Sequence, residues 1–253
     1  MEKPQLRILF LFLFLTLPHL VKSQFRLNLE SGAAFSQYND VRVPNGESNS
    51  GTLFSLQDDF KPSTTAFFRL EMSYLIKGKH TVELTAAPLQ IGYQDSQLEE
   101  INFAGSLFSG EGIDGSYQFN TYRASYRYRL VGNNQWILDL GATILARDAR
   151  IALEQGELQA EDTDLGFVPL LSFNLNYSPK DKLSFVLKGD ALVGPQGRAE
   201  DIFAGINYPI GTKGLQLKAG YRLIEGGADV DQVYNFAYIH FASLGLMYDF
   251  SLR

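Results

Sequence analysis

The chain has 253 residues, 45% hydrophobic and 20% charged, with 22 Lys and Arg against 28 Asp and Glu for a formal charge of −6. That acidic balance argues against a nucleic-acid partner, and the length suits one large domain. With no cysteine, disulfide staples, thiolate metal sites, a cysteine nucleophile and a lipoprotein's lipidated cysteine are all excluded.

Residues 1–23 read as an export signal that is cleaved. Lys3 and Arg7 supply its positive region, Ile8 to Leu17 its apolar core, and Val21-Lys22-Ser23 a small-residue cleavage site. The apolar run is short for a spanning helix, and Pro18 and His19 interrupt it. Removing Lys3, Arg7 and Lys22 against Glu2 takes the charge from −6 to −8 and leaves 24–253 as the folded domain.

From Gln24 onward the pattern is period-2 alternation, which predicts an all-β chain. The first strand sets Phe25, Leu27, Leu29, Ala33 and Phe35 against Arg26, Asn28, Glu30 and Gly32, and a long polar stretch, Asn39 to Lys61, follows. The second opposes Phe68, Leu70, Met72, Tyr74 and Ile76 to Arg69, Glu71 and Ser73 and ends in the turn Lys77-Gly78-Lys79-His80. The third opposes Val82, Leu84 and Ala86 to Thr81, Glu83 and Thr85. Its phase is expected to change at a bulge near Pro88, after which Leu89, Ile91 and Tyr93 carry the apolar face.

Gln94 to Ser116 reads as a second long loop. The fourth strand sets Tyr122, Ala124, Tyr126, Tyr128 and Leu130 against Arg123, Ser125, Arg127 and Arg129, and Gly132 to Gln135 turns the chain. The fifth, from Trp136 to about Arg150, opposes Trp136, Leu138, Leu140, Ala142 and Ile144 to Asp139, Gly141, Thr143 and Arg147, and an acidic loop, Glu154 to Asp164, follows. The sixth carries Phe167, Leu171, Phe173, Leu175 and Tyr177 and turns at Ser178 to Asp181; the seventh sets Leu183, Phe185, Leu187 and Ala191 against Ser184, Lys188 and Asp190. After Gly194 to Glu200 come Ile202, Ala204, Ile206 and Tyr208, a turn at Gly211 to Gly214, and then Leu215, Leu217, Ala219, Tyr221 and Leu223 opposite Gln216, Lys218 and Arg222.

The last strand, Val233 to Arg253, separates Tyr234, Phe236, Tyr238, Ala242, Leu244, Leu246, Tyr248, Phe250 and Leu252 from Asn235, Ala237, Ser243, Gly245, Met247 and Asp249. Its alternating end, Gly-Leu-Met-Tyr-Asp-Phe, resembles the closing strand of bacterial outer-membrane β-barrels, which commonly ends in an aromatic and serves as an assembly signal. The resemblance implies a single-chain antiparallel transmembrane barrel in the outer membrane of a Gram-negative-type bacterium. Its implied partners are lipid, lipopolysaccharide and the barrel-assembly machinery. The count is about ten strands, with eight and twelve the neighbouring even numbers, and the connections alternate long extracellular loops with short periplasmic turns.

Alternation alone does not say which face is inside, since a soluble barrel also alternates. The sorting of aromatic rings by height decides it. One group, Tyr74, Tyr126, Tyr128, Trp136, Tyr177, Phe185, Tyr208, Tyr248 and Phe250, lies beside the short turns, and another, Phe35, Phe68, Phe167, Tyr221, Tyr234, Phe236 and Tyr238, lies near the long loops. Two such girdles flanking a Leu, Ile and Ala band fit a bilayer and its two interfaces.

The inward parity then holds Arg26, Glu30, Arg69, Glu71, Glu83, Arg123, Arg127, Arg129, Asp139, Lys188, Asp190, Lys218 and Arg222. Charges of both signs in a narrow lumen predict a salt-bridged, non-enzymatic interior that fixes strand register. The alternative is a small solute pore with anion preference from the Arg123, Arg127 and Arg129 row. The acidic pairs Asp58-Asp59 and Glu99-Glu100 and the runs Glu161 to Asp164 and Asp229 to Asp231 read as solvated loop tips, with an unidentified extracellular ligand or divalent cations as the other use. Their spacing matches no calcium loop, and no metal site or cofactor is expected.

A second alternative is an outer-membrane enzyme acting on lipid A or peptides. The strand count resembles the omptin proteases, whose acidic pair and Asp-His constellation is not matched here. His80 falls in a periplasmic turn, and His240 has Tyr238 rather than an acid two residues before it. Lipid A palmitoyltransferases would need a loop histidine beside Asp95-Ser96, and lipid A deacylases a His and Ser on one strand face, whereas His240 and Ser243 fall on opposite faces. No catalytic residue is assigned, and His240 is expected to contact lipid headgroups near the outer interface.

Overall fold

The computed structural model describes residues 24–252 apart from 48–49, 181–182, 196 and 212. The predicted export signal, 1–23, lies outside them, as do Arg253, two positions of the segment read as a loop at 39–61, and one position each of those read as turns at 178–181, 194–200 and 211–214. In chain order the strands are β1 (Phe25–Arg42), β2 (Phe54–Ser55), β3 (Lys61–Pro62), β4 (Thr65–Ile76), β5 (His80–Ala87), β6 (Gln90–Gln94), β7 (Glu100–Phe103) and β8 (Ser106–Ser109). They continue as β9 (Asp114–Gly132), β10 (Trp136–Gln155), β11 (Leu158–Lys180), β12 (Leu183–Gly194), β13 (Gly197–Pro209), β14 (Leu215–Val230) and β15 (Val233–Asp249).

Ten of these form the wall: β1, β4, β5 and β9 to β15 pair antiparallel in sequence order, and β15 returns to β1 from Arg26↔Asp249 to Arg42↔Tyr234. Closure leaves no open edge in the membrane band, which a sheet in hydrocarbon requires because lipid offers no partner for an amide. The surface is inverted relative to a soluble protein. Leu29, Phe68, Leu84, Ile144, Leu171, Leu244 and Leu246 are exposed on the outside, while Glu30, Arg69, Arg123 and Ser243, on the opposite parity, are buried. An apolar outer wall around a charged interior is the arrangement of a transmembrane barrel.

Tilted strands rise about 2.5 Å per residue along the barrel axis, so an apolar band of about 25 Å takes about ten residues. On β9 that span reaches from Leu130 to about Tyr122, and on β11 from Tyr177 to about Phe167. Both strands continue well past it, so Tyr117 and Asp162 stand outside the membrane.

Three segments read from sequence as loops or bulges have a different form. Glu154 to Asp164 is mostly strand: β10 and β11 pair out to Gln155↔Leu158, with Gly156 at φ 58° making the turn. Within Gln94 to Ser116 lies the β7–β8 hairpin. Near Pro88 there is no phase change. Glu83 and Thr85 face inward, and so do Leu89, Ile91 and Tyr93 on the same parity, all buried. What changes at Pro88 is the interior, which passes from ionic to apolar, so an apolar side chain beyond that height belongs inside. Register does shift on β1, between Ser36 and Tyr38.

Phe250 also departs from the expected strand. β15 ends at Asp249, whose carboxylate accepts from the Ser251 amide at 2.9 Å and turns the chain into a short 3-10 segment. There the Phe250 ring packs on Phe25 and Tyr248 at the base of the wall. Of the other turn-side rings named from sequence, Tyr74, Tyr126, Tyr128, Trp136 and Tyr208 are exposed, and Tyr177 and Tyr248 are partly so. Trp136 stacks on Tyr177 with centroids 4.3 Å apart.

Candidate functional site

The inward-facing charges converge on one layer across the lumen. Arg222 on β14 donates to Asp201 on β13 at 2.6 Å and to Glu30 on β1 at 3.0 Å, and Lys218, four residues nearer the periplasm on the same face, also pairs with Glu30. Asp201 further accepts from Arg69 at 3.1 Å and from Arg123 at 2.7 Å, and Arg123 reaches Asp190 at 2.9 Å. Arg69 bonds Glu71 at 2.9 Å, Lys188 joins Glu71 at 2.9 Å to Glu83 at 2.6 Å, and Glu83 accepts from Arg127 at 2.8 Å. Nearer the periplasm Arg129 pairs with Asp139 at 2.9 Å. Eight wall strands are cross-linked in this way.

The layer exists because alternation places alternate side chains of every strand at the same axis. An isolated buried charge costs several kcal/mol, so each ion is held only where an opposite charge faces it. Arg123, Arg127 and Arg129 therefore do not present an open cationic row, because each guanidinium is engaged by a carboxylate. Neutral hydroxyls add to the layer: Thr143 Oγ1 donates to Asp190 at 2.8 Å, and Ser172 Oγ accepts from Arg127 at 3.1 Å.

Two residues of this layer escaped the sequence reading. Asp201, which touches three arginines, was assigned to no strand, although it is on the parity opposite Ile202, and extending that strand by one residue finds it. Phe203, fully buried, lies beneath the cations with Lys218 Nζ 4.1 Å from its ring centroid. Its ring occupies the space left by Gly205 and Gly220, where a Cβ would come within 2.5 and 2.6 Å of it. An inward aromatic among charges has no signature in period-2 alternation.

On the extracellular side of the ionic layer the lumen is filled by apolar side chains. Phe54, Leu56, Phe60, Ile101, Phe103, Phe108 and Ile113 come from the two long loops and pack against Val41, Phe67, Ile91, Leu153, Ile239 and Phe241 of the wall. Backbone bonds stitch the loops together: Thr52 N to Asn102 O at 2.8 Å, Ala104 N to Val43 O at 3.0 Å, and Gln97 N to Asp59 O at 2.7 Å. Tyr93 anchors this core to β1 by a 2.7 Å hydrogen bond with Ser36, and burial raises the pKa of its hydroxyl, as it does for Tyr117. Towards the periplasm the ionic layer instead faces an open polar vestibule of about 240 Å³, whose lining includes Asn28, Ser73, Asn174, Asn176 and Asn207.

Neither described histidine joins these groups. His80 bonds Tyr126 at 2.8 Å beside the β4–β5 turn. His240 faces outward at the outer interface, bonded to Tyr221 and, at 2.7 Å, to Gln37, with Phe35 stacked on its ring at 5.2 Å. Of the acidic segments, Asp58 and Asp59 lie in the first long loop, Glu100 opens β7, Glu161 to Asp164 lie along β11, and Asp229 to Asp231 form the tip of β14–β15. Among the described residues no group of three or more His, Asp or Glu could hold a metal ion.

No protein-family model matches the chain, and no curated protein matches its sequence. Its fold is found among solved structures. The outer membrane protease OmpT of Escherichia coli superposes with a TM-score of 0.52 at 10% identity, covering 90% of this chain and 97% of that one. The β domain of the Bordetella autotransporter BrkA gives 0.48 at 11% identity over 89% of this chain and 98% of its own. Ail, the attachment invasion locus protein of Yersinia pestis, gives 0.43 at 11% identity, covering 89% and 99%. The fold is that of bacterial outer-membrane β-barrels, and at these identities the likeness extends to the fold alone.

Proposed function

We propose that this protein is a non-enzymatic outer-membrane barrel with a sealed lumen, acting through its extracellular face rather than conducting solutes. One observation carries the reading: the interior is occupied by an ionic layer with its cations and carboxylates mutually paired, followed on the extracellular side by an apolar plug. A permeating ion would have to separate buried ion pairs, each costing several kcal/mol, before meeting side chains that exclude water. On this reading the His240, Tyr221, Phe35 and Gln37 cluster contacts outer-leaflet lipopolysaccharide, and the alternating β15 is what the assembly machinery recognises.

Planar-bilayer recording on refolded protein tests the sealed lumen. The expected result is no stable conductance, for the native chain and for Arg127→Glu alike. Persistent channels whose anion preference falls in Arg127→Glu would replace this reading with the anion pore. The enzymatic alternative has less support, because His240 bonds a phenol and an amide and His80 a phenol, so neither is set against a carboxylate as a catalytic base usually is. Mass spectrometry of lipid A from expressing and deleted cells should show identical species, and a mass change dependent on the protein would favour an enzyme.

A further inference from the structure

The wall is uneven at its outer end. β11 pairs with β10 from Leu158 to Tyr177 but with β12 only from Leu171 to Lys180, because β12 and β13 already turn at Gly194↔Gly197. The outer half of β11, Leu158 to Leu170, therefore stands beside a notch, with the ends of β13 and β14 on its far side. A cleft opens there, lined by Tyr117, Phe119, Leu145, Ile151, Leu170 and Ile224. The exposed side chains of Leu165, Phe167 and Val193 lie on the outer wall at the same height.

Among the charged residues that share this lining, which include Arg150, Arg198, Glu200 and Glu225, three groups have unmet needs. Asp162 lines the cleft and is half-buried. Burial and the neighbouring Asp164 both raise the pKa of its carboxyl, whereas Asp164 is itself paired with Arg147. Arg147 and Arg123 also line the cleft, each with a buried Nε–H that has no acceptor, and Arg147 is the one that stands beside Asp164 at the outer end. A carboxylate calls for a cationic donor and the guanidinium N–H for an acceptor oxygen, while the Tyr117 and Phe119 rings, stacked at 6.1 Å, offer an apolar surface. The cleft is open at its mouth and holds about 70 Å³, less than the roughly 150 Å³ that encloses a benzene ring, so a bound ring would lie partly in the mouth.

We infer that this notch is a binding cleft for a small apolar α-amino acid or a compound of that class, its ammonium group on Asp162, its carboxylate on Arg147 Nε and its side chain against Tyr117 and Phe119. The inference goes beyond the sealed lumen and does not rest on it, since the cleft opens at the outer surface and would be present in a conducting barrel as well.

The test is ligand-observed saturation-transfer NMR with titration on the protein in lipid nanodiscs, empty nanodiscs giving the background. The probes are L-phenylalanine, phenethylamine, which lacks the carboxylate, and 3-phenylpropionate, which lacks the amine. L-phenylalanine is expected to bind about tenfold more tightly than either, as loss of one charge-assisted hydrogen bond implies. Asp162→Asn should weaken L-phenylalanine and phenethylamine by about tenfold and leave 3-phenylpropionate unchanged. Ala149→Leu, which fills the cleft from β10, should abolish binding of all three and provides the answer if Asp162→Asn does not fold. Equal affinity for the three probes, indifference to Asp162→Asn or Ala149→Leu, or no signal above empty nanodiscs would overturn the inference.

Discussion

Arg222 holds two carboxylates from two other strands, so replacing it with methionine isolates the worth of the ionic layer. Methionine keeps much of the stem volume over Phe203, whose centroid is 5.2 Å from the guanidinium carbon, and removes the charge from between Asp201 and Glu30. Breaking a buried pair by deleting one partner costs about 3–5 kcal/mol. Asp201 keeps Arg69 and Arg123, and Glu30 keeps Lys218, so the lower end of that range, about 3 kcal/mol, is expected. The control is Arg26→Met: its pair with Asp249, at 2.8 Å, is of comparable length, but the Arg26 side chain is 48% exposed, and a pair so open to water is worth about 0–1 kcal/mol. Equilibrium urea unfolding in a lipid or detergent system where the barrel refolds gives both values, read as midpoint shifts at constant slope. Adding Glu30→Gln to Arg222→Met should recover part of the loss, because one uncompensated charge is removed. An Arg222→Met loss below about 1 kcal/mol, or one no larger than that of Arg26→Met, would refute the claim that these pairs are desolvated and coupled.

Leu244 is exposed on the outer wall of β15 near the middle of the lipid band, so Leu244→Arg should cost about 2–4 kcal/mol in refolding into bilayers. The same change would be nearly neutral if that face met water, and the unfolding free energy in liposomes decides between the two. Burial keeps Tyr117 protonated in the fold to a higher pH than in the unfolded chain, where tyrosines ionise near pH 10. Its contribution is intact below about pH 10 and declines as pH rises further, because only the unfolded state then releases the proton. Tyr117→Phe should therefore flatten the fall in stability above about pH 10, measured as the unfolding midpoint against pH, and an unchanged alkaline slope would count against the buried phenol.

How much of this could be read along the chain differs by feature. The lipid-facing sets on β4, β9 and β15 followed from parity alone, because burial on one side of a strand writes a two-residue rhythm into the sequence. So did the inward placement of Glu30, Arg69, Glu71, Arg123, Lys218 and Arg222. The partners did not: Arg69 and Asp201 are 132 residues apart and Glu30 and Arg222 are 192 apart, and no local pattern relates them. Leu89, Ile91 and Tyr93 were misread because an apolar residue on a barrel strand carries no mark of whether it meets lipid or a plug. The segment Glu154 to Asp164 was read as loop because its acidity is that of solvated chain, although it is paired as strand with Ala160 and Asp162 half-buried on one face.

By itself the sequence determined that the chain alternates with period two from Gln24 onward, that its apolar parity is flanked by aromatic girdles, and that charges of both signs lie on the other parity. Those are consequences of each strand standing between two different media, and they need only near neighbours to be legible. The tertiary structure alone decided which charge faces which, that the long loops fold back into the lumen as an apolar plug, and that β12 stops short and leaves a notch beside β11. Those features depend on closure and on relative strand length, which bring together residues from distant parts of the chain, and no periodicity within one strand records them.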